Sequence, residues 1–298
     1  MAEPFTLGLV QMAPETTVAA SLEKAAARIA DAARAGANVV CLPELFATPY
    51  FCRSQDHAAF DLAEPIPGPT TDAMAAAARA SGVVVVAPLF ERRGPGCYQN
   101  SLAVLGPDGG LIGIYRKMHI PHDPGFEEKF YFAPGDLGFK TFQTPFGPIG
   151  TLICWDQWFP EAARATALLG ALVLCYPTAI GWHPSEKAEY GERQRDAWMT
   201  VQRGHAIANG IYVAAVNRVG VEGSGDGYGE TLEFWGSSFI ADPSGRIIAQ
   251  AGIADEEIIT AVIDPATLET QRRHWPFLRD RRIDAYGGLC RLYGDEKK

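Results

Sequence analysis

The sequence has no apolar run approaching the ~20 residues that span a bilayer; stretches such as 83–89 and 171–175 stop far short of that length. Its opening, MAEPFTLGLVQMAPE, lacks a basic n-region, an apolar segment of signal length and a small-residue cleavage site, so no export is indicated and a cytoplasmic location is expected. The six cysteines, at 41, 52, 97, 154, 175 and 290, form neither a CxxC pair nor a compact disulfide spacing, which suits free thiols in a reducing compartment. Positive charge is in deficit, with 26 Lys and Arg against 35 Asp and Glu. The formal charge of -9 argues against nucleic acid or anionic lipid as partner, since either needs a basic face. No HExxH and no acidic partner at ligand spacing accompany His119 or His122, so neither a metal nor another cofactor is expected. The glycine-rich stretch 220–229 lacks a P-loop lysine and reads as a surface loop that would lie over an active site. With no Pro/Gly/Ser-rich linker, the chain reads as one domain over 1–298 with a charged, aromatic arm from about 265 that would pack on a neighbouring subunit.

What is present is an ordinary globular composition, 47% hydrophobic and 20% charged, laid out as alternating strands and helices. Residues 5–12 read as a buried strand. Thr17 then caps a helix with apolar positions at Val18, Leu22, Ala25, Ile29 and Ala32, stopped by Gly36. Residues 38–42 give a second strand, 71–80 a helix and 83–88 a third strand, the alternation that builds α/β layers. Two hairpins follow, 98–115 around GPDGG and 235–250 around DPSG, and 257–263 supplies a further strand. Between the hairpins the pattern predicts strands at 149–154, 171–176 and 211–217 and helices at 161–169 and near 193–209. His205 should face a packed interface within that last helix.

Three stretches each set a reactive side chain just past an apolar strand, where chain ends converge on one edge of a sheet: NVVCLPELF at 38–46, IGIYRKMHIP at 112–121 and IGTLICWDQWFPE at 149–161. A carboxylate, an ammonium and a thiol are what covalent amide hydrolysis needs, because the amide is a poor electrophile with a poor leaving group. Cys154 would be the nucleophile and Glu44 the general base. Lys117, with the Trp155 N–H, would stabilise the oxyanion and supply the charge that activates a thiol of ordinary pKa ~8.5. Singly, a cysteine ending a strand is most often packing, as expected of Cys41 and Cys175, and His119 reads as a hydrogen-bonder that orients the Lys117 loop.

In this order the three motifs resemble those of the nitrilase (carbon-nitrogen hydrolase) superfamily, whose glutamate, lysine and cysteine map onto Glu44, Lys117 and Cys154. The resemblance runs from residue 5 to about 286 and implies an αββα sandwich, two stacked β-sheets flanked by helices, assembled as a homodimer or larger homo-oligomer. It also implies a second glutamate, Glu128 in EEKFYFAPGD, that positions the lysine, with Glu127 the alternative register. The strings CWDQWFPE, YPTAIGW, RGHAIANGIYVAAVNRVG, EFWGSSFIADPSG and WPFLRDRRIDAYG are most similar to the branch that hydrolyses N-carbamoylputrescine to putrescine, carbon dioxide and ammonia in polyamine synthesis. The substrate this implies is a small cationic carbamoyl compound, and the intermediate a thiocarbamoyl-enzyme on Cys154. The alternative is another branch, acting on carbamoyl amino acids, β-ureidopropionate or ω-amides, which would call for a local arginine. Members of the branch carry an acidic residue just after the TAIG turn, where this chain reads Trp182-His183-Pro184-Ser185-Glu186. Glu186 is therefore the first candidate for the distal ammonium and Glu189 the second, with Tyr50 and Trp155 as aromatic walls around the alkyl chain.

Overall fold

The computed structural model describes residues 3–223 and 231–294. In chain order the strands and helices are β1 (Phe5–Gln11), α1 (Val18–Arg34), β2 (Val39–Cys41), α2 (Pro69–Ser81), β3 (Val84–Gly94), β4 (Cys97–Leu105), β5 (Leu111–Arg116), α3 (Glu128–Tyr131), β6 (Thr141–Thr144) and β7 (Gly147–Thr151). There follow α4 (Pro160–Leu168), β8 (Val173–Thr178), β9 (Gly181–Trp182), α5 (Pro184–Asn209), β10 (Tyr212–Asn217), β11 (Val219–Glu222), β12 (Leu232–Trp235), β13 (Phe239–Ala241), β14 (Ile247–Gln250), β15 (Glu257–Ile263) and α6 (Pro265–His274).

Two six-stranded sheets result, ordered β15-β1-β2-β3-β4-β5 and β14-β13-β10-β8-β7-β6. In each, three parallel strands reached by helical crossovers form the centre, and antiparallel strands extend the edges. Strand alternation explains the stacking. Val39, Cys41, Val84, Val86, Leu102 and Val104 point into the core shared with the second sheet, whereas their neighbours Val40, Val85 and Ala103 face Ala25, Ile29 and Met74 of α1 and α2. Both faces of the first sheet are thus covered, and α4 and α5 cover the outside of the second through Ala162, Trp198 and Ala206. The architecture is the αββα sandwich.

Local chemistry sets the boundaries. The Thr17 side chain accepts from the Ala20 N–H to start α1, and Gly36 at φ +92° turns the chain after it. Helix α5 begins at Pro184, about nine residues before the periodicity predicts, because proline suits a first helical position and the His183 side chain caps it. The strand predicted over 235–241 is broken: Gly236 and Ser237 have φ of +47° and +56°, so β12 ends in a small β11-β12-β9 sheet while β13 joins the second large sheet. Of the stretch 220–229 read as a loop, 220–222 belong to strand β11 and 224–229 lie outside the described residues. No helix among the described residues is long and apolar enough to cross a membrane.

Candidate active site

β2, β5 and β7 end on the same side of the sandwich, and the residues just beyond them meet there. Lys117 follows β5; its Nζ lies 2.8 Å from Glu44 Oε1 and 2.6 Å from Glu128 Oε2, all three side chains at 0% exposure. Glu128, the first residue of α3, is the member of the adjacent glutamate pair that joins the cluster. Glu127 instead accepts from Gln55 at 2.9 Å, outside it. Asn100 of β4 donates to Glu44 Oε1 at 2.7 Å, and the Tyr50 hydroxyl donates to Glu128 Oε1 at 2.7 Å. Glu44 Oε2 keeps no hydrogen-bond partner among the described residues.

Cys154 does not end a strand, as the apolar pattern suggests. β7 stops at Thr151, and Cys154 opens a 3-10 turn with φ +40°, a left-handed conformation that costs a non-glycine residue about 1–2 kcal/mol. That geometry turns the thiol out of the strand line toward the Ala179 carbonyl, 3.8 Å away. Trp155 is the second residue of the same turn, where an N–H has no acceptor within the turn and stays available to an oxyanion. Leu45, beside Glu44, also has positive φ, at +49°. The loop it belongs to is held by the fully buried Arg218, which donates to the carbonyls of Glu44 at 3.2 Å, Leu45 at 2.8 Å and Thr48 at 2.7 Å while pairing with Glu222 at 2.6 Å.

The electrostatics differ from the sequence expectation. Burial raises the Glu44 carboxyl to about 7, and the Glu128 charge adds to this while Lys117 and the Cys154 thiol oppose it. Lys117 is held above its ordinary value, because the two carboxylates outweigh its desolvation. Burial, aided by the Glu44 charge, pushes the Cys154 thiol up despite Lys117. Cys154 is thus pushed toward the neutral thiol beside a carboxylate raised to about 7, and not toward the thiolate that a neighbouring lysine suggests.

A cavity of about 660 Å³ opens from Cys154, lined by Trp155, Trp158 and Trp235 among others. Its acidic residues are Asp123 and Glu186, and no lysine or arginine is among the described lining residues. Glu186 sits in the first turn of α5, exposed, with Gln194 donating to it at 3.0 Å. Glu189 and Tyr50 do not line this cavity; Tyr50, fully buried, stands behind Glu128 instead. Sequence reasoning missed Asn100, in the polar run Gln99-Asn100-Ser101 that precedes the apolar part of β4, and Asp123, which carries no signal. His119 bonds Asp156 through Nδ1 at 2.7 Å, and His205 Nε2 meets the Gln157 carbonyl at 2.8 Å. Cys41 and Cys175 are fully buried core residues.

The family model for carbon-nitrogen hydrolases matches residues 6–273. The chain belongs to the carbon-nitrogen hydrolase family and is an amidase-type enzyme acting on C–N bonds. It is 44% identical to an N-carbamoylputrescine amidase of Solanum lycopersicum over 97% of this chain and 96% of that one. It is 42% identical to a citrullinase of Francisella tularensis over 96% and 98% of the two chains. Among solved structures it is similar to a carbon-nitrogen hydrolase from Helicobacter pylori G27, with a TM-score of 0.94 and 45% identity over 98% of this chain and all of that one.

Proposed function

We propose that the enzyme hydrolyses N-carbamoylputrescine to putrescine, carbon dioxide and ammonia in polyamine synthesis, in the cytoplasm and without a cofactor. The carrying observation is the charge of the cavity beyond Cys154: Asp123 and Glu186 on its wall and no described lysine or arginine there. A distal ammonium gains from such a wall, while the carboxylate of citrulline or of β-ureidopropionate would meet like charge with no lysine or arginine among the described lining residues. The three indoles that line the cavity offer apolar and cation-π faces to a butyl chain.

In this reading the Cys154 sulfur attacks the carbamoyl carbon as its proton passes to Glu44. Lys117 and the Trp155 N–H receive the developing oxyanion; one such donor is typically worth about 3 kcal/mol. Collapse of the tetrahedral adduct breaks one C–N bond, Glu44 returning the proton to the departing nitrogen. A thiocarbamoyl-enzyme remains. Water, deprotonated by Glu44, attacks it, the C–S bond breaks with the proton going back to sulfur, and the carbamic product separates into amine or ammonia and carbon dioxide. Glu128 holds Lys117 beside Glu44 and shares the proton work.

The arm from about 265, which exposes Trp275, Phe277, Ile283, Leu289, Leu292 and Tyr293, would pack on a second copy in a homodimer or larger assembly. The test of the substrate is ammonia release from N-carbamoylputrescine, citrulline and N-carbamoyl-β-alanine, with Cys154→Ala alongside. Preferential turnover of the carbamoyl diamine, lost in the variant, is expected; preference for either carboxylate-bearing substrate overturns the assignment while leaving the chemistry standing.

A further inference from the structure

Lys117 and Cys154 belong to different sheets, following β5 and β7 respectively, so their alignment depends on something that ties the two sheets together at this edge. Asp156 does so. Its side chain is fully buried, and its four hydrogen bonds come from both sides of the divide. Oδ1 accepts from the His119 N–H at 3.0 Å and from the His119 ring Nδ1 at 2.7 Å. Oδ2 accepts from the Tyr115 hydroxyl at 2.8 Å and from the Ile153 N–H at 2.9 Å. Tyr115 and His119 stand two residues before and two after Lys117, and Ile153 immediately precedes Cys154. The His119 ring also stacks on Phe159, centroids 3.8 Å apart, at the exit of the cysteine turn.

We infer that Asp156 is the positioning residue that sets Lys117 against Cys154, and that this position requires a carboxylate rather than an amide. Each oxygen faces one backbone N–H, a donor that cannot reverse its role. An asparagine, whichever way it is turned, must therefore aim its NH₂ at one of those donors. One sheet loses its grip: either the Ile153 bond that supports the left-handed Cys154, or the His119 bond that fixes the chain after Lys117. Because the carboxylate only accepts, the His119 ring must carry its hydrogen on Nδ1. The inference rests on the proposed roles of Cys154 and Lys117, but not on which carbamoyl compound is the substrate.

The variants to compare are Asp156→Asn, the milder Tyr115→Phe and, as a control, Asn38→Ala, which removes a bond to the Thr6 N–H at the opposite end of β2. We would measure thermal midpoints, kcat and KM on whichever carbamoyl substrate the native enzyme turns over, and the iodoacetamide labelling rate at Cys154 by peptide mapping. Asp156→Asn should lower kcat about 100-fold, with KM within about threefold and a changed labelling rate. Tyr115→Phe should lower kcat about fivefold, and Asn38→Ala should lose thermal stability with kcat unchanged. If Asp156→Asn does not fold, Tyr115→Phe carries the test alone. Native kcat and labelling in both folded variants, or a kcat loss in Asn38→Ala matching theirs at equal loss of midpoint, would overturn the inference. Native protein that labels at Cys154 but turns over no carbamoyl substrate would overturn the proposed function and leave the positioning role to be judged by labelling.

Discussion

Replacing Glu128 by glutamine tests whether the two buried carboxylates share one electrostatic system. Both grip the same ammonium, at 2.8 and 2.6 Å, so the two carboxylate charges, each spread over its two oxygens, lie on the order of 5 Å apart. Two unit charges at about 5 Å in an effective dielectric of about 20 repel by roughly 3 kcal/mol, or about 2 pKa units. Glu44 stands at about 7 partly because of that repulsion, and Lys117 pulls it down. Removing the Glu128 charge takes away one raising influence and leaves the lowering ones. The Glu44 value should therefore fall by about 1 to 2 units. In its proposed role Glu44 must be deprotonated to accept the thiol proton, so the native kcat/KM should rise with pH through about 7 and level above it. In Glu128→Gln the same rise should come about 1 to 2 units lower. The plateau should drop at least about tenfold, because Glu44 is then a weaker base and Lys117 has lost a partner. The assay is initial-rate ammonia release at low substrate from pH 5 to 9, with circular dichroism at each pH as a folding check. A midpoint that stays put or moves upward in a folded variant refutes the coupling.

Asp123→Asn and Glu186→Gln should each raise KM for a cationic carbamoyl substrate about 2- to 5-fold with kcat nearly unchanged, since exposed charge pairs are worth about 0.5–1 kcal/mol. Unaltered KM in the double variant, at low ionic strength, would remove these carboxylates from substrate recognition. Ile29→Ala, at a fully buried position between α1 and the first sheet, should cost about 3 kcal/mol in denaturant unfolding and leave kcat per folded molecule unchanged.

The legible part of the site follows one rule: Glu44, Lys117 and Cys154 each come just after an apolar strand, and strand ends converge. What the chain order hides is contact between strand ends far apart in sequence, within one sheet for Glu44 and Lys117 and across the two sheets for Asp156 and His119. Glu44 and Lys117 are 73 positions apart, and Asp156 and His119 are 37 apart; no local period reports such pairings. Tyr50 reads as a channel wall because aromatics commonly line ligand sites, yet its hydroxyl is consumed by Glu128. The fold was readable where apolar runs are buried on both faces of the sheet, as in β2, β3 and β4. It was misread at 235–241, where two left-handed residues divide an apolar run between sheets, and at the start of α5, whose first turns are exposed and charged and so carry no apolar stripe.

The thiol also shows why a reactive group cannot be judged from its neighbours in sequence. A nearby lysine suggests a thiolate, but Lys117 arrives with two carboxylates, and all are withdrawn from water. The local charge is then negative whenever Glu44 is ionised, and it opposes a second anion on sulfur. In the proposed mechanism attack and proton transfer accordingly occur together, and the acceptor is the Glu44 oxygen that has no other partner among the described residues. Only when the proton has moved to Glu44, and negative charge has passed through sulfur to the substrate oxygen, does the Lys117 charge gain a new anion to stabilise. The arrangement favours the transition state over the resting thiol, which is the condition for an interaction to accelerate the chemical step.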